Sequence, residues 1–217
     1  MSHANAAPNA RLLAKISAML ALQAEINSRV DPDWQARGRE WYRAIWIECA
    51  ELMDHYGGWK WWKASHRDVE QAMLEIVDIW HFGLSIRIRA DRDHARAAAE
   101  IVEEWLQPQP SRGFLCDVET LARHALETRE FLVAMVPSLL ADIGRDFDAL
   151  YRAYMGKNVL NFFRQDHGYK TGTYLKTWHD REDNAHLVEI LEGLDSNAPG
   201  FRDDVYRALV ARYPCPI

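Results

Sequence analysis

Strand signals are nearly absent from this chain of 217 residues. No run of alternating β-branched residues is bounded by hairpin dipeptides, which argues against a sheet-based fold. No stretch approaches the roughly 18 uninterrupted apolar residues of a membrane span, so a soluble protein without a membrane partner is expected. Cysteine is sparse. Cys49, Cys116 and Cys215 lie far apart and match no zinc or redox spacing, and they read as reduced thiols of a cytoplasmic protein. Basic charge is not in excess either: the formal net charge is −6, which argues against a nonspecific nucleic-acid binder. Residues 1–10 show no basic start followed by an apolar run and do not read as a secretory signal. Internal repeats and low-complexity tracts are missing too.

What is present is helical periodicity. Hydrophobic residues at 48% and charged residues at 27% fit an ordinary globular domain with a full core. Nine tryptophans must be buried or offered to a flat ligand. Leu12, Leu13, Ile16, Leu20 and Ile26 recur at three- and four-residue spacings and predict a first helix over about 10–29, ended by Asp31-Pro32. Trp34, Trp41, Ile45 and Leu52 predict a second helix from about Asp33 to the Gly57-Gly58 pair. Asp68 followed by Gln71 resembles a capping box opening a third, which runs to about Ala90. Apolar residues fall on almost every face of that helix from Ile76 to Ile88, so it is central. A short helix to about Leu106 precedes a linker marked by Pro108, Pro110 and Gly113. Helical patterns then cover about 117–140, with Pro137 as a kink or break, and about 142–163. Residues 164–181 read as an ordered loop, and short helices over about 183–191 and 203–212 follow. The expected fold is all-α, a helix bundle forming a single domain over 1–217, with a smaller mobile lobe beyond 108–113 as the alternative.

Two carboxylate pairs carry the chemistry. Glu48 and Glu51 stand at i and i+3 on the second helix, and Glu75 and Asp78 at i and i+3 on the third. Residues three apart share a helical face. A short Gly-Gly connection makes the two helices antiparallel neighbours, so all four side chains can converge. Similar pairs, Glu127/Glu130 and Glu189/Glu192, fit solvated faces and are given no role. The first four differ in context: Ile76, Val77, Ile79, Trp80 and Phe82 surround Asp78, and Ile45, Trp46, Ile47 and Leu52 flank the other pair. Carboxylates in such surroundings lose several kcal/mol of hydration unless paired, and basic residues that could neutralise all four are not evident at helical spacing. An oxygen-only cluster favours a hard divalent cation, magnesium first and manganese second. Two such ions together suit phosphate-ester or anhydride chemistry.

These residues resemble the dimeric, all-α dUTPases. The likeness covers most of the chain in five blocks: Leu22 to Asn27; Glu48 to Leu52 with Trp59-Lys60-Trp61-Trp62-Lys63; Glu75 to Phe82; Lys157 to Arg164; and Gly168-Tyr169-Lys170, Tyr174-Leu175-Lys176 and Arg181-Glu182-Asp183-Asn184. The carboxylates alone would suggest only the wider all-α nucleoside triphosphate pyrophosphatases. The tryptophan-lysine run and the fifth block are more specific.

The resemblance implies hydrolysis of dUTP, and of dUDP, with dUMP and pyrophosphate as products of dUTP, and a homodimer. It implies that Gln23 and Asn27 read the uracil edge, which suits amides at i and i+4 that each offer donor and acceptor. Trp61 and Phe82 are the aromatics expected against the base or sugar. Lys157, Asn161, Tyr169, Lys176, Arg181 and Asn184 match positions that hold phosphates or the sugar, and the loop carrying Gly168 and Gly172 is expected to close as a lid. Glu48, Glu51, Glu75 and Asp78 would hold two or more magnesium ions, and Glu48 or Glu51 would take the attacking water's proton. A pyrophosphatase with another base preference is the nearest alternative. A di-iron bundle needs Glu-x-x-His on two helices, and none occurs here. A purely structural helical adaptor would leave the buried carboxylates unexplained.

Overall fold

The computed structural model describes residues 6–89, 93–196 and 198–214. Its helices are α1 (Ala6–Val30), α2 (Trp41–Tyr56), α3 (Val69–Arg87), α4 (His94–Trp105), α5 (Phe114–Thr128), α6 (Val136–Asp142), α7 (Phe147–Asp166), α8 (Asp183–Glu192) and α9 (Phe201–Arg212). One small hairpin, β1 (Thr177–Trp178) paired antiparallel with β2 (Arg181–Glu182), precedes α8. The fold is an all-α bundle. None of its described helices is long and apolar enough to cross a membrane.

The all-round apolar helix is central, as its sequence requires. From Ala72 to Ser85 every residue of α3 except Asp78 and Phe82 is buried, and α3 packs on α1, α2, α6 and α7. Gly83 allows the ring of Phe131 to lie directly on the α3 backbone, where any Cβ would collide with it. The core continues without a break from Leu12 on α1 to Leu209 on α9.

Asp68 caps α3 as expected, accepting from the Gln71 backbone N–H at 3.0 Å. Its own N–H donates to the His55 carbonyl at 2.9 Å rather than to Gln71, which ties the start of α3 to the end of α2. Gly57 and Gly58 turn the chain between them at positive φ (73° and 83°). The two helices therefore run antiparallel.

Several expected boundaries moved. α2 begins at Trp41, not near Asp33, because Asp31 accepts from Arg39 and from the Asp33 N–H and pairs with Arg37, holding 31–39 as a turn. Trp34 is buried from that turn and packs edge-on against Trp41. The pattern over 117–140 is two helices. α5 stops where Arg129 turns left-handed, and Pro137 sits in the first turn of α6, where its missing N–H costs nothing. α7 starts at Phe147, capped by Asp146 on the Ala149 N–H at 2.9 Å. The hairpin had no strand signal because two-residue strands are too short to alternate. Cys49 and Cys116 are free thiols; Cys215, residues 1–5 and Ala90 lie outside the described residues.

Candidate active site

The antiparallel pairing of α2 with α3 brings the carboxylates together. Oxygens of Glu48, Glu51 and Glu75 lie within 4.8 Å of one another. Glu75 is buried, Glu48 half-buried and Glu51 exposed, so the cluster opens to solvent at one side. His55, one turn beyond Glu51, reaches Glu75 with Nε2 to Oε1 at 3.4 Å. Asp78 lies outside that trio and has a partner of its own. Its Oδ2 lies 2.8 Å from Lys157 Nζ, and Lys157 is only 3% exposed on α7. A buried cation thus compensates one member of the set, from beyond helical spacing. Lys157 arrives from a helix 79 residues away in sequence, and no periodicity within α2 or α3 announces it.

The remaining three are crowded. Burial first, then the charges of Asp78 and Glu75, push Glu48 up to about 8. Burial and Asp78 push Glu75 up to about 7, with Lys157 pulling the other way. Like charges in a partly dry place resist ionising together. A divalent cation relieves that cost, and an all-carboxylate donor set fits a hard one.

Two clefts meet at this cluster. One, of about 660 Å³, is lined by the four carboxylates together with Lys157, Arg164, Tyr169, Lys176, Arg181 and Asn184 among others. Among the described residues, Lys176 and Arg181 make surface ion pairs, to Glu182 at 3.4 Å and Glu189 at 2.6 Å. Exposed pairs contribute little, so both cations can turn to an anion at small cost. The other cleft, of about 510 Å³, is lined by Gln23, Asn27, Trp34, Trp41, Phe82 and Asn161 among others. Glu48, Asp78, Lys157, Arg164 and Tyr169 border both. Phe82 is half-buried and stacks on Trp41, with ring centres 6.2 Å apart. Trp61 stands outside both clefts, 89% exposed and in ring contact with Trp62, and Trp41 takes the place beside Phe82.

The amides sit in a buried network. Gln23 Nε2 donates to Asn27 Oδ1 at 3.0 Å and to Ser85 Oγ at 3.1 Å, and Asn27 Nδ2 donates to Ser85 Oγ at 2.9 Å. Gln23 Oε1 faces His81 Nδ1 at 2.7 Å and the Tyr154 hydroxyl at 3.1 Å. Burial holds His81 down near 4, so it is neutral at ordinary pH.

Arg164 is a hub that the sequence did not single out as a site residue. It lies two turns beyond Lys157 on α7, with Asn161 between them on the same face. It donates to both oxygens of Asp183 at 2.8 and 2.9 Å, to Asn161 Oδ1 at 3.2 Å and to Asn184 Oδ1 at 3.3 Å. Burial alone would raise Asp183, but Arg164 and the Tyr174 hydroxyl, which donates at 2.8 Å, hold it below the usual carboxylate value. The loop between these anchors turns at Gly168 and Gly172, both left-handed, and Lys170 fastens it to the Val30 carbonyl at 2.8 Å. The missed residues, Arg164, Asp183, Ser85, His55 and Trp41, share one property: each acts through a contact distant in sequence or hidden inside a helix of ordinary composition.

No curated protein matches the chain. The family model that does match is described as dUTPase, and it spans residues 15–169, from the first helix to Tyr169, with all four carboxylates inside it and Lys176, Arg181 and Asn184 beyond it.

Proposed function

Since the chain belongs to the all-α dUTPase family and is a dUTP nucleotidohydrolase, we propose that the two adjoining clefts divide the substrate between them, with magnesium held at the carboxylates. The observation that supports this most is the shared border. An amide- and aromatic-lined cleft suits a nucleoside, an ionic cleft suits a triphosphate, and five residues lie on both.

In this reading Phe82, with Trp41, covers the base, and Asn27 meets its edge with Gln23 behind it. Asn161 and Tyr169 flank the sugar. Lys157, Lys176, Arg181 and Asn184 contact the phosphates, whose charge they offset by charge-assisted hydrogen bonds. Arg164 borders both clefts and orients the loop through Asp183. Glu48, Glu51, Glu75 and Asp78 hold two or more magnesium ions, with manganese as a substitute. When bound, the ions supply Lewis-acid polarisation of phosphate oxygens and of water. Glu48 or Glu51 takes the proton of a water that attacks phosphorus in line. The new P–O bond forms as the bridging P–O bond breaks, and dUMP and pyrophosphate separate. The loop over 168–182 closes to exclude other water. The same site would accept dUDP.

The whole chain acts as one domain in a cytoplasmic homodimer. Trp46 and Ile47, exposed on α2 beside the carboxylates, suit a contact with a second copy. Trp61, from the loop after α2, would reach the base or sugar only if that loop moves.

The test is a panel of dUTP, dTTP, dCTP and UTP, with pyrophosphate release measured in magnesium. The reading predicts strong preference for dUTP. Comparable turnover of all four would replace it with a pyrophosphatase of broad base use.

A further inference from the structure

Ser85 lies on α3 seven residues beyond Asp78, two helical turns deeper on the same face. It is 2% exposed. Its Oγ donates to the His81 carbonyl at 3.0 Å, and the amides of Asn27 and Gln23 approach it at 2.9 and 3.1 Å. A hydroxyl has one proton and two lone pairs. The proton goes to His81, whose carbonyl has none to give. Both lone pairs must therefore accept, one from each amide nitrogen.

Those two bonds fix the direction of both amides. Gln23 places Nε2 on Ser85 and Asn27, so Oε1 faces His81, which must donate from Nδ1. Turning Asn27 over alone would set its NH2 group against that of Gln23. Turning both over would aim two carbonyl oxygens at a hydroxyl with one proton. Either way, like groups would face each other in a buried place, at the cost of unmade hydrogen bonds. Gln23 then has both of its N–H groups and an Oε1 lone pair committed. Asn27 keeps one N–H and one Oδ1 lone pair uncommitted among the described bonds, and it lines the 510 Å³ cleft.

We propose that Ser85 is a positioning residue for base selection: it pins the Asn27 amide so that a carbonyl oxygen meets N3 of the pyrimidine, which favours uracil over cytosine. The inference rests on the reading above that Asn27 faces the base. Uracil carries N3–H between two carbonyl oxygens, so Asn27 Oδ1 accepts from N3–H while Nδ2 donates to the neighbouring oxygen. Cytosine has a bare lone pair at N3, and that lone pair confronts Oδ1. An unpinned amide would turn over and bind cytosine through N3 and the N4 amine. The pinned one resists.

The test is kcat/KM for dUTP and for dCTP in the full chain with magnesium, for the parent, Ser85→Ala, Asn27→Ala and the double variant. Ser85→Ala is expected to lower the dUTP:dCTP preference about tenfold, the worth of one hydrogen bond. Asn27→Ala should lower it too, and adding Ser85→Ala to Asn27→Ala should change nothing more, because Ser85 acts through Asn27. Ser85→Cys, whose thiol accepts poorly, gives the same reading should the alanine variant fail to fold. A parent-like preference on losing the Ser85 hydroxyl, while Asn27→Ala lowers it, overturns the role of Ser85. So does a further fall in the double variant. A parent-like preference in Asn27→Ala overturns the placement of Asn27 itself.

Discussion

Lys157 Nζ and Asp78 Oδ2 stand 2.8 Å apart at the junction of the two clefts, with the lysine almost wholly buried and the aspartate partly so. The pair joins α7 to α3 at the point where nucleoside and phosphates would meet. It also gives Asp78 a counter-charge beside the three crowded glutamates. Removing the lysine would strand a carboxylate beside them. We predict that Lys157→Met destabilises the metal-free protein by about 3 kcal/mol, the cost of breaking a buried pair. Magnesium should then raise the melting temperature of the variant more than that of the parent, because the cation replaces the missing charge. Equal shifts in the two proteins would remove Asp78 from the ligand set.

Asp183 and Arg164 form the second buried pair, with the Asp183 side chain fully enclosed and that of Arg164 11% exposed. Asp183→Ala is expected to cost about 3–5 kcal/mol in urea unfolding. It should also raise KM for dUTP, since Arg164 then loses the anchor that sets it between Asn161 and Asn184. A loss under 1 kcal/mol would mean that the loop holds its place without this clamp.

Stability should depend on pH in a direction set by the glutamates. Glu48 and Glu75 hold their protons more tightly in the folded protein than at the ordinary glutamate value of 4.5. Between that value and about 8, the folded state binds more protons than the unfolded one. Their contribution to stability is therefore present below 4.5 and lost as pH rises through this range. Chelated protein should melt progressively lower from pH 5 to pH 8 on their account, and Glu48→Gln should flatten the slope. A slope unaltered by Glu48→Gln would place the crowding elsewhere.

Much of this was legible in the chain. The apolar run from Ile76 to Ile88 required a central helix, and the i, i+3 carboxylates on either side of Gly57-Gly58 required antiparallel neighbours. Both relations depend on residues close in sequence. What the sequence hid depends on tertiary contact. Lys157 meets Asp78 only once α7 crosses α3. Ser85 is an ordinary small residue within an apolar helix, and its hydrogen bonds to Gln23 and Asn27 form only once α3 packs on α1. Trp34 followed the helical period of α2, yet the ion pairs of Asp31 held it in a turn. Pro137 looked like an interruption because proline breaks a helix interior, and it stands in the first turn of α6, where it is tolerated.

We predict that Glu48 and Glu75 bind the divalent ions on which hydrolysis depends. Magnesium binding by calorimetry and dUTP turnover in Glu48→Gln and Glu75→Gln test it most directly. Each change keeps the side chain's shape and removes its charge. Loss of measurable binding and a fall of about 100-fold or more in turnover are expected, with the fold intact. Parent-like binding and parent-like turnover in both variants would contradict it.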